Sequence, residues 1–219
     1  MSTSFMFSTQ VKAGFYEANP MTNSHVEIAR KMLCKPVSYA AIQNIVCTRH
    51  FLEKHCTVTM RLLCLDTDLP VIYNWLPWRY TRYLKKDAHI RHLYETYNCV
   101  GDSSSSQSFL LLMNDTAIAQ ADVYHALQDD ISTYYDARGG DYRLQLLIDP
   151  EKEMFGDLSL YILQTCQEFF FTFQEVERLA LLLEEGHFLI SKLEKAGFCF
   201  EAKVITPHKS ACLFTCSRP

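Results

Sequence analysis

Between positions 122 and 141 the sequence sets carboxylates and phenols at short intervals: Asp122, Tyr124, Asp130, Tyr134, Tyr135 and Asp141, the last preceded by Gly140. Carboxylates pair with ammonium groups and phenols donate hydrogen bonds, so a stretch of this composition has the groups to hold a cationic or hydroxylated ligand. Read singly, each acid is equally a solvated loop residue and each tyrosine a half-buried strand residue. A second acidic group, Asp149, Glu151, Glu153 and Asp157, surrounds Lys152 and precedes a helical run. Acids there solvate a surface loop and favour a helix N-terminus.

Metal chemistry finds no support. The nine cysteines, at 34, 47, 56, 64, 99, 166, 199, 212 and 216, form no CxxC pair and read as reduced thiols of a reducing compartment. Cys212 and Cys216 share one strand face, but no second pair completes a tetrahedral site. The eight histidines are scattered without ligand spacing, so no metal is expected. His125 and His187 stand as alternative bases, although an isolated histidine is more often structural.

These side chains need a framework, and 219 residues, 48% of them hydrophobic, suffice for a core of their own. The net charge of −4 supplies no basic field for phosphate backbones, so no nucleic-acid partner is expected. Residues 109–113 and 179–183, the longest strongly apolar runs, fall far short of the ~20 residues of a membrane helix. Residues 1–15 lack the pattern of a secretory leader. The expectation is a soluble, cytoplasmic protein with no membrane partner.

The hydrophobic pattern predicts a mixed α/β fold. Residues 1–56 read as an N-terminal extension, with a helix over 37–54, and residues 57–219 as the main domain. In that domain strand 58–65 leads to a helix capped by Asp66 or Thr67, with Pro70 in its first turn. Helical segments over 75–85 and 89–98 end in the serine loop 103–106. Strands 108–113 and 116–124 flank Asn114-Asp115, a hairpin turn. Strand 142–148, helix 157–171, strand 176–183, a helix over 187–196 closed by Gly197, and strands 198–205 and 210–216 around Pro207 complete the order β, α, α, β, β, β, α, β, α, β, β.

Several segments carry a family wording in this order. Arg61, Leu63, Asp68, Leu69, Pro70 and Trp75 follow an R-x-L…D-L-P…W pattern. Asp122 and Tyr124 stand two apart, followed by Asp130, Tyr134-Tyr135 and Gly140-Asp141. Gln145-Leu146-Leu147-Ile148 occupies the place of an H-L-L-I strand, and Lys195-Ala196-Gly197-Phe198 closes the series. From about residue 58 to 198 the chain resembles the GNAT acetyltransferases, and within them the siderophore-biosynthesis acyltransferases, which are similar to aerobactin N-hydroxylysine acetyltransferase and mycobactin lysine N-acyltransferase.

The resemblance implies a mostly antiparallel twisted sheet, flanked by helices and splayed between two parallel strands, with acetyl-CoA or another acyl-CoA as co-substrate. The acyl group passes to an amine or hydroxylamine, lysine-like or polyamine-like, by direct attack, so alignment of the two substrates supplies much of the catalysis. It further implies that Gln145 and Asp141 are catalytic, that Asp122, Tyr124, Asp130, Tyr135 and Trp75 bind the acceptor, and that Leu146, Leu147, Ile148, Gly156, Asp157, Leu158 and Ser159 bind the acyl-CoA. The strands parting near Leu147 and Leu182 would admit the pantetheine arm, and the helix after Gly156 would receive the diphosphate.

The chain also departs from the family. Gln145 stands where the family carries histidine, and glutamine orients but takes no proton near neutral pH. The loop 149–157 keeps one glycine and one lysine among four acids. The family's E-P-D…N stretch falls on residues 181–183 and Gly186, without its acid or its asparagine. A GNAT-fold binding module without turnover is therefore the alternative reading.

Overall fold

The computed structural model describes residues 45–76, 86–103, 105–152, 156–206 and 210–219. The expectations for residues 1–44, for a helix over 77–85, for Glu153 and for a turn at Pro207 lie outside the described residues.

Strands β1 (Ile45–Phe51), β2 (Cys56–Leu62), β3 (Ser106–Met113), β4 (Thr116–His125), β5 (Asp141–Ile148), β6 (Arg178–Glu184), β7 (Cys199–Ile205) and β8 (Ser210–Ser217) form one sheet. Its order is β1-β2-β3-β4-β5-β6-β8-β7. Every neighbouring pair is antiparallel except β5 and β6, which run parallel. Helices α1 (Leu65–Trp75) and α2 (Lys86–Asp102) follow β2, α3 (Leu158–Phe170) links β5 to β6, and the short α4 (Ile190–Leu193) precedes β7. This is the mixed α/β, GNAT-type architecture implied by the order of elements.

Two differences at the N-terminal end have local causes. Residues 45–51 form an edge strand paired with β2, rather than the end of a helix. The β-branched Ile45, Val46 and Thr48 suit a pleated ladder, and the sheet edge overrides the weak helical period. Helix α1 starts earlier than expected: Cys64 is its N-cap, without a side-chain cap, and Pro70 lies inside the helix. Capping is supplied instead by Asp68, whose carboxylate accepts from the Cys64 N–H at 2.8 Å and from both Arg61 terminal nitrogens at 2.7 Å. The Arg61…Asp68 wording thus fixes α1 onto β2, and the ion pair keeps Arg61 protonated by hydrogen bonding to Asp68.

The β3–β4 turn matches its composition, since Asn114 and Asp115 both adopt positive φ, 46° and 65°. These are the backbone angles that a two-residue hairpin turn demands. Gly197 closes the helical turn after α4 at φ 81°, a conformation that costs glycine least. The sheet buries both faces. One packs Ala119, Ala121, Val123, Tyr142, Leu144 and Ile148 against Ile162, Leu163, Cys166 and Phe170 of α3. The other packs Leu110 and Leu147 against Leu69, Ile72 and Trp75 of α1 and Leu93 and Tyr97 of α2. Among the described residues eight cysteines are free thiols, no three metal-binding side chains cluster, and no helix is long and apolar enough to cross a membrane.

Candidate active site

The parallel strands pair only at their start. Asp141 faces Arg178, Tyr142 faces Leu179 and Arg143 faces Ala180; beyond that, β5 continues to Ile148 and β6 to Glu184 without pairing. Each strand stays bound on its far side, β5 to β4 through Ile148 and β6 to β8 through Glu184. The sheet therefore forks inside its own middle, leaving the inner edges of residues 144–148 and 181–184 open. Leu146, Leu147 and Ile148 line this fork. Unpaired backbone groups there are donors and acceptors in search of a partner, which a straight amide-bearing chain can provide.

The closed end of the fork is clamped by charge. Asp141 is 0% exposed, and its two oxygens accept from Arg178 Nε at 2.9 Å and Nη2 at 2.6 Å. One of them also accepts from the Arg138 N–H at 2.9 Å. The Gly140 carbonyl accepts from the Glu177 and Arg178 N–H groups, and the Arg178 guanidinium lies 5.4 Å from the centre of the Tyr135 ring. Burial first, and the Asp141 charge second, push the Tyr135 phenol upward. Asp141, expected as a catalytic residue, thus ties the two strands together at the closed end of the fork, and Tyr135, expected at the acceptor, lies beside this pair.

A different group of side chains meets on the α1/α2 face. Alternation along the strands puts Asp122 and Tyr124 of β4 on the same face as Arg143 and Gln145 of β5, and Asp122 is the register partner of Gln145. Asp122 and Tyr124 line a pocket with His92, Leu93, Thr96, Tyr97 and Val100 of α2. Its cavity volume is about 40 Å³, room for a small polar head group. Asp122 is 3% exposed and accepts from the Ser108 hydroxyl at 2.5 Å. Burial pushes its carboxyl up to about 6, against the opposing pull of Ser108, Gln120 and Arg143. Burial also raises the phenols of Tyr97 and Tyr124, with the Asp122 charge adding to both.

Arg143 organises this face. Its Nη1 donates to both oxygens of Asp129, at 2.9 and 3.1 Å, its Nη2 donates to Gln145 Oε1 at 3.2 Å, and its guanidinium lies 5.8 Å from the Tyr124 ring centre. Asp129 also accepts from the Ile131 N–H, so it caps the turn that follows. Asp130 is exposed, and the acid that reaches the site network is its neighbour. Trp75, expected at the acceptor, is a core residue of the α1–α2 layer, 5% exposed. Arg143, Asp129 and Tyr97 were absent from the sequence-derived set, although two signals for them existed. Arg143 lies two residues from both Asp141 and Gln145, hence on their face, and Leu93, Tyr97 and Val100 form an i, i+4, i+7 stripe.

At the mouth of the fork, two described acids of the loop, Asp149 and Asp157, face lysines. Asp149 is buried, accepts from the Glu151 N–H, and lies 3.7 Å from Lys152. Lys152 also donates to the Ala117 carbonyl, which ties it back to β4. Gly156 adopts φ 57°, and Asp157, the N-cap of α3, makes no side-chain cap. Its carboxylate faces Lys192 of α4 at 3.3 Å instead. Leu158 and Ser159, which begin α3, are buried. The two alternative bases lie elsewhere. His125 packs edge-on against Tyr142 and donates Nε2 to the Gly139 carbonyl. His187, its basicity lowered by burial, accepts from the Leu189 N–H through Nδ1.

Comparison with known proteins agrees with this fold. The chain is similar in fold to an uncharacterized protein from Bacillus halodurans, at 17% identity and TM-score 0.68 over 78% of this chain and 89% of that one. It is also similar to the aminoglycoside acetyltransferase AAC(6')-Ib in complex with coenzyme A, at 22% identity and TM-score 0.62 over 74% and 95%. A chimera of the Vibrio cholerae spermidine N-acetyltransferase SpeG and hSSAT aligns at 16% identity and TM-score 0.55 over 73% and 95%. No curated protein matches the sequence. Residues 64–205 match the acetyltransferase (GNAT) domain, and with most of the chain so covered, the protein belongs to the GNAT acetyltransferase family.

Proposed function

We propose that the protein is an acyl-CoA-dependent acyltransferase, with acetyl-CoA as donor, acting on a small amine of lysine-like or polyamine-like form. The observation that carries this reading is the fork: paired at three positions and open beyond Arg143 and Ala180, it offers an extended amide-bearing arm a strand-like edge on both sides. The residues present fit such a donor. Leu146, Leu147 and Ile148 would flank the arm, and the first turn of α3 after Gly156 and Asp157, left without a side-chain cap, would face the diphosphate. Lys192 adds a cation beside it.

The acceptor enters from the α1/α2 face, where Asp122 and Tyr124 offer a carboxylate and a phenol in an otherwise apolar pocket. Its nitrogen attacks the thioester carbonyl, the C–N bond forms, the C–S bond breaks and the thiol leaves. Gln145, held by Arg143, orients and does not exchange protons. The order of the Asp122…Asp141 and Arg61…Trp75 wording favours an acceptor of the siderophore-assembly type, a lysine side chain or its N-hydroxy form. A cytoplasmic setting accords with the free thiols of the described cysteines. The amines named for the structural relatives, an aminoglycoside and spermidine, define the competing acceptors.

A thermal-shift titration tests donor binding. Acetyl-CoA at 100 times its Kd adds about 2.7 kcal/mol to the folded state, which raises Tm by roughly 5–10 °C for a chain of this size. Thiol release with lysine, N-hydroxylysine, spermidine and kanamycin then ranks the acceptors. Binding without turnover on any of them would favour the second reading, a GNAT-fold binding module, for which the loss of a titratable group at Gln145 is the supporting observation. No shift at millimolar acetyl-CoA would refute both donor use and the fork assignment.

A further inference from the structure

Resting on the transferase reading above, we propose that Asp122 takes the proton from the incoming ammonium, so that the base of this protein lies on β4, one strand away from the Gln145 position on β5. The register pair Asp122↔Gln145 puts the two Cα atoms about 4.5–5.5 Å apart at the same level of the sheet. A carboxylate at 122 therefore reaches the space that a base at 145 would serve. That level lies two residues into the open part of the fork, just past the last paired position, Arg143.

Three features distinguish Asp122 from a structural acid. Among the described residues no lysine, arginine or histidine nitrogen forms an ion pair with it, whereas Asp68, Asp129 and Asp141 each hold an arginine. It lines the pocket walled by Leu93, Val100, Tyr97 and Tyr124, so a small polar head group entering that cavity would meet its carboxyl. Beside it on the same strand face, Gln120 is 2% exposed and its Nε2 forms no hydrogen bond, so no amide donor neutralises the carboxylate there. Gln120 is near enough to help lower the Asp122 carboxyl, yet not in bonding geometry.

The ionisable groups facing Asp122 come from three elements: Arg143 on β5, Tyr97 and His92 on α2, and Tyr124 on its own strand. Ser108 on β3 donates a neutral hydrogen bond. The net result is a carboxyl near 6, ionised at neutral pH yet more basic than an ordinary aspartate. In the step, one N–H proton of the alkylammonium passes to Asp122 and the freed electron pair forms the bond to the thioester carbonyl carbon. Collapse of that adduct breaks the C–S bond, the sulfur leaves with the electron pair, and the second nitrogen proton ends on the thiol. Asp122 returns its proton to solvent, so one ammonium and one thioester yield one amide, one thiol and one proton.

Sign and pH follow from the raised carboxyl. Between about pH 4 and 6 the folded protein holds this proton while the unfolded chain, with an ordinary aspartate near 3.9, has lost it, so stability falls as pH rises through that window. Asp122→Asn abolishes the penalty. The expected results are a Tm above wild type at pH 8, a difference that disappears by pH 4, and a loss of at least 100-fold in kcat with KM for acetyl-CoA unchanged. Wild-type kcat/KM falls on the acid side with a bend near pH 6. The double variant Asp122→Asn/Gln145→His regains at least ten-fold of that activity. Undiminished turnover in Asp122→Asn, with an active wild type, would overturn this proposal alone. An Asp122→Asn protein that is inactive but less stable than wild type at pH 8 would overturn it in favour of a structural acid. A wild type that binds acetyl-CoA yet acylates no amine of the panel would sink the transferase reading together with it.

Discussion

Asp141 and Asp122 are both almost wholly removed from water, at 0% and 3% exposure, yet they answer that desolvation in opposite ways. Asp141 has an arginine gripping both oxygens and a backbone N–H besides. Asp122 has a serine hydroxyl and a distant Arg143. A buried carboxylate is costly unless paired and hydrogen-bonded. The closed end of the fork meets that requirement internally, and in the proposed mechanism the pocket end leaves it for a cationic ligand to meet. Sequence places the two acids in the same motif, but the counter-ion decides which one supports the scaffold.

The sharpest way to break this contrast is to remove the clamp. Asp141→Asn or Arg178→Ala strands one buried partner, and the expected loss is about 3–5 kcal/mol, read as a shift of the urea midpoint at constant slope. A loss of less than about 1 kcal/mol would place Asp141 among ordinary surface pairs and remove the distinction from Asp122. Gly140→Ala attacks the same end through packing. A Cβ there would lie 2.5 Å from Glu177 Cγ and 2.8 Å from its Cβ, and the Gly140 carbonyl joins the two strands, so the backbone cannot retreat freely. Overpacking of this kind costs about 1–3 kcal/mol.

On the pocket side, Arg143→Met sharpens the comparison by deleting the cation that stands at one remove from Asp122. Two effects are expected in the same assay. Loss of the Asp129 and Gln145 hydrogen bonds loosens acceptor alignment, raising its KM roughly ten-fold, as befits a charge-assisted contact of about 1.4 kcal/mol. Arg143 also pulls the Asp122 carboxyl downward, so the acid-side bend of kcat/KM moves to higher pH in the variant. A bend that stays in place would show that the charge on Arg143 is not felt in the pocket.

The sequence made the scaffold easier to read than the site, for identifiable reasons. Asn114-Asp115, Gly197 and the alternating strands are local signals, and each lies where its own conformational preference puts it. The helix expected up to residue 54 failed because pairing with β2 is a tertiary effect. Position along the chain singled out Asp122 and Tyr124, which the structure brings together on the α2 pocket. It could not separate Asp141 from them, because the partner that neutralises Asp141 lies 37 residues away on β6. Lys192 escaped attention for the same reason, being 35 residues from Asp157.

That distant lysine gives a smaller and opposed pair of outcomes. Asp157→Asn releases Lys192 and removes a negative charge from the head of α3, so KM for acetyl-CoA should fall about three-fold. Lys192→Ala should raise it by a similar factor, each being a helix-terminus charge effect of about 0.5–1 kcal/mol. Movement of both variants in the same direction would mean that the pair acts as a structural tie and not as a charge balance.

The smallest effect belongs to Asp130, and it tests the contrast most economically because the neighbouring Asp129 is its internal control. Asp130 is exposed, and its backbone carbonyl accepts from the Thr133 hydroxyl. Its carboxylate stands outside the Arg143 network that Asp129 enters with both oxygens. Charge in open water interacts weakly over distance, so Asp130→Asn should leave kcat/KM for the acceptor within two-fold of wild type at 150 mM salt. Asp129→Asn should raise acceptor KM as Arg143→Met does, but move the acid bend the opposite way, to lower pH, because it removes an anion and leaves the Arg143 charge free to pull the Asp122 carboxyl down. If the ranking were reversed, with Asp130 governing acceptor use, the acceptor would have to approach over the 129–133 turn and not through the α2 pocket. Asp122 would then lose the feature that separates it from Asp141, direct access to a cation.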